Sequence, residues 1–146
     1  MDGISHMAWS YLLWLDNPYT WLAVFFGILP DLIGVVPPSL AAGIRQRSWN
    51  ALLLGEGGPA WMEHYKRIAH PLSHSMVVSL GVFGIVALIW SPQWYMLAWP
   101  LHNFVDIFTH TKARGPYWLW PFSKSRFHGV RWEGRKFLTV NALALA

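Results

Sequence analysis

The sequence predicts an all-α protein: a multi-pass transmembrane bundle of about four helices, with a kinked second helix and a short C-terminal helix. Three observations predict it. Hydrophobic residues make up 54% of the chain and charged residues only 12%, against about 25% charged in a typical soluble domain. That leaves too little polar surface to coat a globule of this size. Trp is abundant, at 11 of 146 residues, and Trp prefers the boundary between membrane and water. The apolar residues are also gathered into stretches separated by short polar breaks. The length is that of a single domain, residues 1–146.

The stretches can be taken in order. The first runs from Ile4 to Leu15 and ends at Asp16-Asn17-Pro18. It is short against the roughly 20 residues that a span needs, which implies tilt or partial insertion. The second runs from Tyr19 to about Ile44, interrupted at Pro30-Asp31 and at Pro37-Pro38. The third runs from Pro71 to Trp90 and is the cleanest. The fourth runs from Trp94 to Thr111, entered through Ser91-Pro92-Gln93. A last piece, Phe137–Ala146, is too short to cross a bilayer as a helix. Between them, Arg45–Ala69 carries the breaker cluster Gly55-Glu56-Gly57-Gly58-Pro59, with a short amphipathic helix expected over Ala60–Ala69. Lys112–Lys136, rich in Trp, Pro and basic residues, reads as irregular or interfacial.

Charge sets the expected orientation. Arg45, Arg47, Lys66 and Arg67 fall in one connection, and Lys112, Arg114, Lys124, Arg126, Arg131, Arg135 and Lys136 follow the fourth stretch. The turns at Asp16–Pro18 and Ser91–Gln93 carry neither Lys nor Arg. The positive-inside rule then predicts both termini on the cytoplasmic side of the plasma membrane. The net charge of +4 is explained by topology, and no nucleic-acid partner is expected. No leader pattern precedes the first stretch, which reads as a retained helix. With no cysteine, disulfide scaffolds, thiolate metal sites and Cys nucleophiles are excluded.

Ionisable groups inside apolar stretches are expensive, so they are candidate functional residues. The candidates are His6 in the first stretch, Asp31 in the second, His70 and His74 in the third, and His102 and Asp106 in the fourth. The alternating topology puts all six in one layer near the cytoplasmic face. His70/His74, His102/Asp106 and Asp106/His110 are spaced i, i+4, which places each pair on one helix face. Imidazoles and carboxylates together suit a divalent ion: zinc first, with manganese or iron(II) as alternatives. Pro30 would bend its helix and free a carbonyl beside Asp31. His64 and His128 lie in basic, polar segments and read as solvated. Glu56 reads as a turn residue, and Glu63 and Glu133 as partners of nearby cations.

These residues also carry a family resemblance. Ser5-His6 near the start, Gly27-Ile28-Leu29-Pro30-Asp31, His70-Pro71-Leu72-Ser73-His74-Ser75, His102-Asn103-Phe104-Val105-Asp106-Ile107-Phe108-Thr109 and Trp120-Pro121-Phe122-Ser123 resemble, in order, elements of the YdjM-like family of inner-membrane, metal-dependent hydrolases. The resemblance covers about residues 1–125. Pro71 stands where Arg is usual, and Ile33 where a second acidic residue is often found. The loss of that acid leaves the number of metal ions open.

The resemblance implies a hydrolase acting at the membrane on a phosphoester or lipid-type ester. His6, Asp31, His70, His74, His102 and Asp106 would hold one or two ions, and Asp31 or Asp106 would act as general base. Ser73, Ser75 and Thr109 would support the ligands. Arg114, Lys124 and Arg126 would attract an anionic headgroup, beside their role in topology. The main rival is a non-catalytic metal-binding membrane protein, regulatory or assembly in role, whose closed site pins the helices. A haem protein using two of the His residues is a third reading, against which the Asp residues argue.

Overall fold

In the computed structural model, residues 2–54, 57–112 and 115–145 are described; Glu56 and Arg114, both singled out above, lie outside them. Helices follow one another along the chain, and no strand occurs among the described residues. Helix α1 (Gly3–Leu13) starts where Asp2 accepts hydrogen bonds from Ser5 N at 2.9 Å and Ser5 Oγ at 2.7 Å, an N-cap that satisfies an orphan amide. It packs on α2 (Thr20–Gly34) across a turn in which Thr20 Oγ1 donates to the Trp14 carbonyl.

Helix α2 is the hub of the fold. It touches α1, α5 (Ala60–Ser73), α7 (Ala98–Thr109) and the 3₁₀ turn Trp94–Leu97. Small residues allow this. Ala23, Gly27 and Gly34 are buried along it at helical spacing. A Cβ on Gly34 would stand 2.7 Å from Ser73 Oγ and 3.0 Å from the His70 Cα, so only glycine lets α5 approach there.

The kink of the second stretch lies further along than Pro30. Helix α2 runs through Pro30, and the 47° bend falls at Val35, ahead of α3 (Val36–Gln46). Pro37 and Pro38 explain the position: proline disfavours helical conformation in the residue before it and favours the first turn of a new helix. Helix α3 ends on Arg47 in the left-handed region, at φ 48°, and packs on the short α4 (Trp49–Leu54), which lies within the connection Arg45–Ala69.

The third stretch also breaks. Helix α5 begins at Ala60, as expected, but runs on through Pro71 to Ser73. Helix α6 (Met76–Ile89) then leaves at 59°, capped by Ser75, whose Oγ accepts from Val78 N. The break thus falls within the run expected to be one continuous helix. No single helix among the described residues is long and apolar enough to cross a membrane, but the bent pairs α2–α3 and α5–α6 each pass that test together. Helices α1 and α7 have 11 and 12 residues.

After α7 the chain is irregular over described residues 115–134, as the composition of that segment predicted. It caps α7: the amides of Gly129, Val130 and Trp132 donate to the carbonyls of His110, Phe108 and Thr109, which no further helical turn can serve. Helix α8 (Arg135–Leu145) returns to α1, where Asn141 Nδ2 donates to Ser5 Oγ at 2.8 Å and Trp9 Nε1 donates to Asn141 Oδ1 at 2.9 Å.

The interior is unusually polar. His6, Ser73, His74, Ser75, His102, Asn103 and Asp106 are all buried, while Leu88, Ile89 and Trp90 at the end of α6 are 89%, 74% and 84% exposed. That inverts the usual arrangement, in which buried polar groups are the minority that needs explaining.

Candidate metal centre

Four elements deliver the site. Helix α1 supplies His6, α2 supplies Asp31, the α5–α6 break supplies His74, and α7 supplies His102 and Asp106. Asp106 lies at the centre. Its Oδ1 is 2.9 Å from His6 Nε2, and its Oδ2 is 3.3 Å from His102 Nε2 and 3.9 Å from His74 Nε2. Asp31 Oδ1 lies 3.4 Å from His74 Nε2 and 3.9 Å from His102 Nε2. Two groups could each hold a metal ion: His6, His102 and Asp106, and Asp31, His74 and His102, with the ligand atoms of each group within 4.8 Å of one another.

Hydrogen bonds decide which face each imidazole presents. His102 Nδ1 lies 2.7 Å from the Gly27 carbonyl. A carbonyl can only accept, so Nδ1 carries the proton and Nε2 of the neutral ring offers a lone pair. That Nε2 is buried, and the groups nearest to it are the Asp106 and Asp31 carboxylates, with no further hydrogen-bond partner among the described residues. It faces two carboxylates, which are also acceptors. A buried lone pair between two anionic groups is unfavourable until a positive charge, a second proton on the ring or a metal ion, stands between them. The donor set, two imidazole nitrogens and two carboxylates converging in the interior, fits a divalent ion.

His74 follows the same logic. Its Nδ1 faces the His70 carbonyl at 3.3 Å and Ser73 Oγ at 3.0 Å, which leaves Nε2 for the carboxylates. His6 differs. A hydrogen bond to Asp106 at 2.9 Å uses a proton on Nε2, and ligation would require the same atom to give it up. Its ring also stacks on that of His102, with centroids 3.6 Å apart.

Five of the six residues read from the sequence are thus brought together: His6, Asp31, His74, His102 and Asp106. His70 belongs to neither group among the described residues. Its ring stacks on His74 with centroids 4.2 Å apart and an interplanar angle of 6°. The i, i+4 spacing puts the two rings face to face, with His74 Nε2 within 4 Å of both carboxylates. His110, at the end of α7, stands 3.5 Å from Asp106 Oδ1 through Nδ1 and 18% exposed. Of the three hydroxyls expected to support ligands, Ser73 meets His74 and Thr109 Oγ1 donates to Asp106 Oδ1 at 3.4 Å, whereas Ser75 turns to the Trp120 carbonyl.

Sequence reading missed Asn103 and Trp99, whose side chains donate to the peptide that carries His74. A buried amide beside His102 in an apolar stretch was the available signal. His64 and His128 are exposed, as expected, and Glu133 pairs with Arg131 at 3.0 Å. No protein-family model, curated protein or solved structure matches the chain.

Proposed function

We propose that this chain is a membrane-embedded, metal-dependent hydrolase of a phosphoester or lipid-type ester, working at the cytoplasmic face of the plasma membrane. The observation that carries the metal is the convergence of His102 Nε2 and His74 Nε2 on the Asp106 and Asp31 carboxylates in the interior. His74, His102, Asp31 and Asp106 are the residues that would hold the ion, with His6 on the far oxygen of Asp106. Zinc suits this nitrogen and oxygen set best. Because both candidate groups include His102, whose Nδ1 is engaged by the Gly27 carbonyl, one ion at a time is favoured over two.

A divalent ion bound there would supply a Lewis acid and a water whose pKa is lowered toward about 7. The protein's own part follows from burial. Asp106 has a side chain only 5% exposed and is ringed by imidazoles, so its role is to hold charge in place. The Asp31 side chain is 16% exposed and forms the accessible edge of the cluster. It is the carboxylate that can take a proton from an attacking water and release it to solvent.

The membrane setting draws support from the surface. Helix α6 is apolar on all sides and buries only Ser79, an arrangement seen in cores and spans. Large exposed apolar surfaces mark contact with lipid or with partners. Four-fold alternation of basic and non-basic connections fits both termini on the cytoplasmic side. Lys124 is exposed beyond α7, whereas the Arg126 guanidinium lies 4.1 Å over the Tyr117 ring, so Lys124 is the better-placed cation for an anionic headgroup.

The second reading is a closed structural site, favoured by the fact that His74, His102, Asp31 and Asp106 could fill four positions by themselves. Elemental analysis of detergent-purified protein beside a His74→Ala, Asp106→Ala variant tests the shared premise. Equal metal content in both would end it. Hydrolysis of phospholipids and phosphoesters then separates the two readings, since a closed site gives no turnover that depends on Asp31.

A further inference from the structure

We propose that Asn103 and Trp99 are positioning residues for the metal centre: they clamp the peptide that carries His74 and so aim its Nε2. The proposal rests on the metal reading of the site. His74 lies between two helices that meet at 59°, with φ −99° and ψ 20°, and Ser75 follows in extended conformation. The His74 amide still donates to the His70 carbonyl at 3.0 Å as the last bond of the α5 ladder, but the carbonyls that follow at the end of α5 lack helical donors.

Helix α7 supplies the missing donors. Asn103 Nδ2 lies 3.3 Å from the Ser73 carbonyl and 3.1 Å from the Ser75 carbonyl, one on each side of His74. Trp99 Nε1 donates to the same Ser73 carbonyl at 2.7 Å. A third oxygen, Ser79 Oγ, is 3.2 Å from Asn103 Nδ2. The reverse orientation of the amide would press Oδ1 against three oxygens, so the network fixes which end points at the break. Oδ1 itself is buried without a partner among the described residues. An unpartnered buried acceptor is unfavourable, and its presence here means that the N–H groups are what this position supplies.

The consequence is mechanical. Asn103 sits beside His102 and one turn from Asp106 on α7, so one helix carries two ligands and the clamp for a third. Rotation of the Ser73–Ser75 peptides would swing the His74 ring while leaving both helices in place. The clamp ties that ring to the frame of His102 and Asp106. On the other side of the break, Ser75 Oγ and Met76 N donate to the Trp120 and Trp118 carbonyls, which anchors the start of α6 but does not bracket His74.

The test uses Co(II) titrated into the full chain in detergent, for wild type, Asn103→Ala, Trp99→Phe and His74→Ala. Visible absorption of Co(II) reports the number and geometry of its ligands, which a general loss of stability does not move while the protein stays folded. Expected for Asn103→Ala is an affinity lower by about 10–100-fold, with the band shifted toward that of His74→Ala and helical circular dichroism unchanged. Trp99→Phe keeps the ring and deletes one donor, and a smaller shift in the same direction is expected. If Asn103→Ala fails to fold, Trp99→Phe decides alone. Wild-type affinity and spectrum in the folded variants, beside a changed His74→Ala, would overturn the clamp and leave the metal reading standing. No Co(II) uptake by wild type would overturn both.

Discussion

His102 and Gly27 are joined by a contact of 2.7 Å between an imidazole Nδ1 and a backbone carbonyl, and that contact fixes the chemistry of the ring's other nitrogen. Gly27 stands one helical turn before Asp31, so α2 both orients His102 and presents a carboxylate to it. His102→Ala is expected to lower zinc affinity by more than ~100-fold, beyond what loss of a supporting contact costs. His70→Ala is expected to lower it by less than ~10-fold, since His70 only stacks on His74. Competition with a chromophoric chelator measures both, and equal losses would contradict the assignment.

The two carboxylates should separate by role. Asp106→Asn is expected to strip the ion and turnover together, because Asp106 meets His6, His74, His102 and His110. Asp31→Asn is expected to keep more of the ion and to lower kcat by about 10²–10⁴-fold, the usual worth of a general base. Metal content and phosphoester hydrolysis measured on the same preparations check this. A variant at Asp31 with full turnover would remove it as the base.

Acid should release the metal. Imidazole binds a cation only when deprotonated, and its ordinary pKa is about 6.5. Affinity is therefore expected to hold above neutral pH and to fall as pH drops through about 6 and below, with a slope steeper than one proton because more than one imidazole contributes. Metal retained during gel filtration against a chelator across this range gives the curve. Affinity independent of pH between 5 and 8 would exclude the His residues as ligands.

Gly34 tests the packing that brings α5 to α2. A Cβ there would stand 2.7 Å from Ser73 Oγ, 3.0 Å from the His70 Cα and 3.2 Å from His74 Cε1. Gly34→Ala is expected to destabilise the fold by about 1–3 kcal/mol, as overpacking does, and to weaken metal binding by displacing His74. Thermal melting and metal titration of one sample are the check; an unchanged melting temperature would show that the helices are not in contact.

Leu88 distinguishes lipid from water as the solvent of α6. Its side chain is 89% exposed. In water, Leu88→Arg at so open a position would change stability by about 0.5 kcal/mol or less. In a bilayer centre it would cost about 2.5–3.5 kcal/mol. A fall in the amount recovered in the membrane fraction after alkaline extraction is expected, and undiminished recovery would count against the span.

Much of this could be read before any coordinates, for physical reasons. Apolar runs broken by Pro, Gly and Asp announced helices, and α1, α2, α7 and α8 lie where those runs lie. His and Asp inside such runs announced a site, because burying them alone is costly, and five of the six named residues meet. Bends were read less well. Pro30 looked like the kink, but Pro37 and Pro38 set it at Val35; the run Pro71–Trp90 looked continuous, but it breaks at His74.

Local sequence therefore determined most of the helical runs and which residues are too polar to lie idle in an apolar run. Tertiary structure alone decided which nitrogen of His102 faces the carboxylates, that the His70 ring stacks on His74, and that Asn103 and Trp99 donate to the carbonyls beside His74. Those facts depend on contacts between residues far apart in the chain, such as Gly27 with His102 and Ser73 with Trp99. Spacing along one helix carries no information about the donors and acceptors that a different helix will bring to its face.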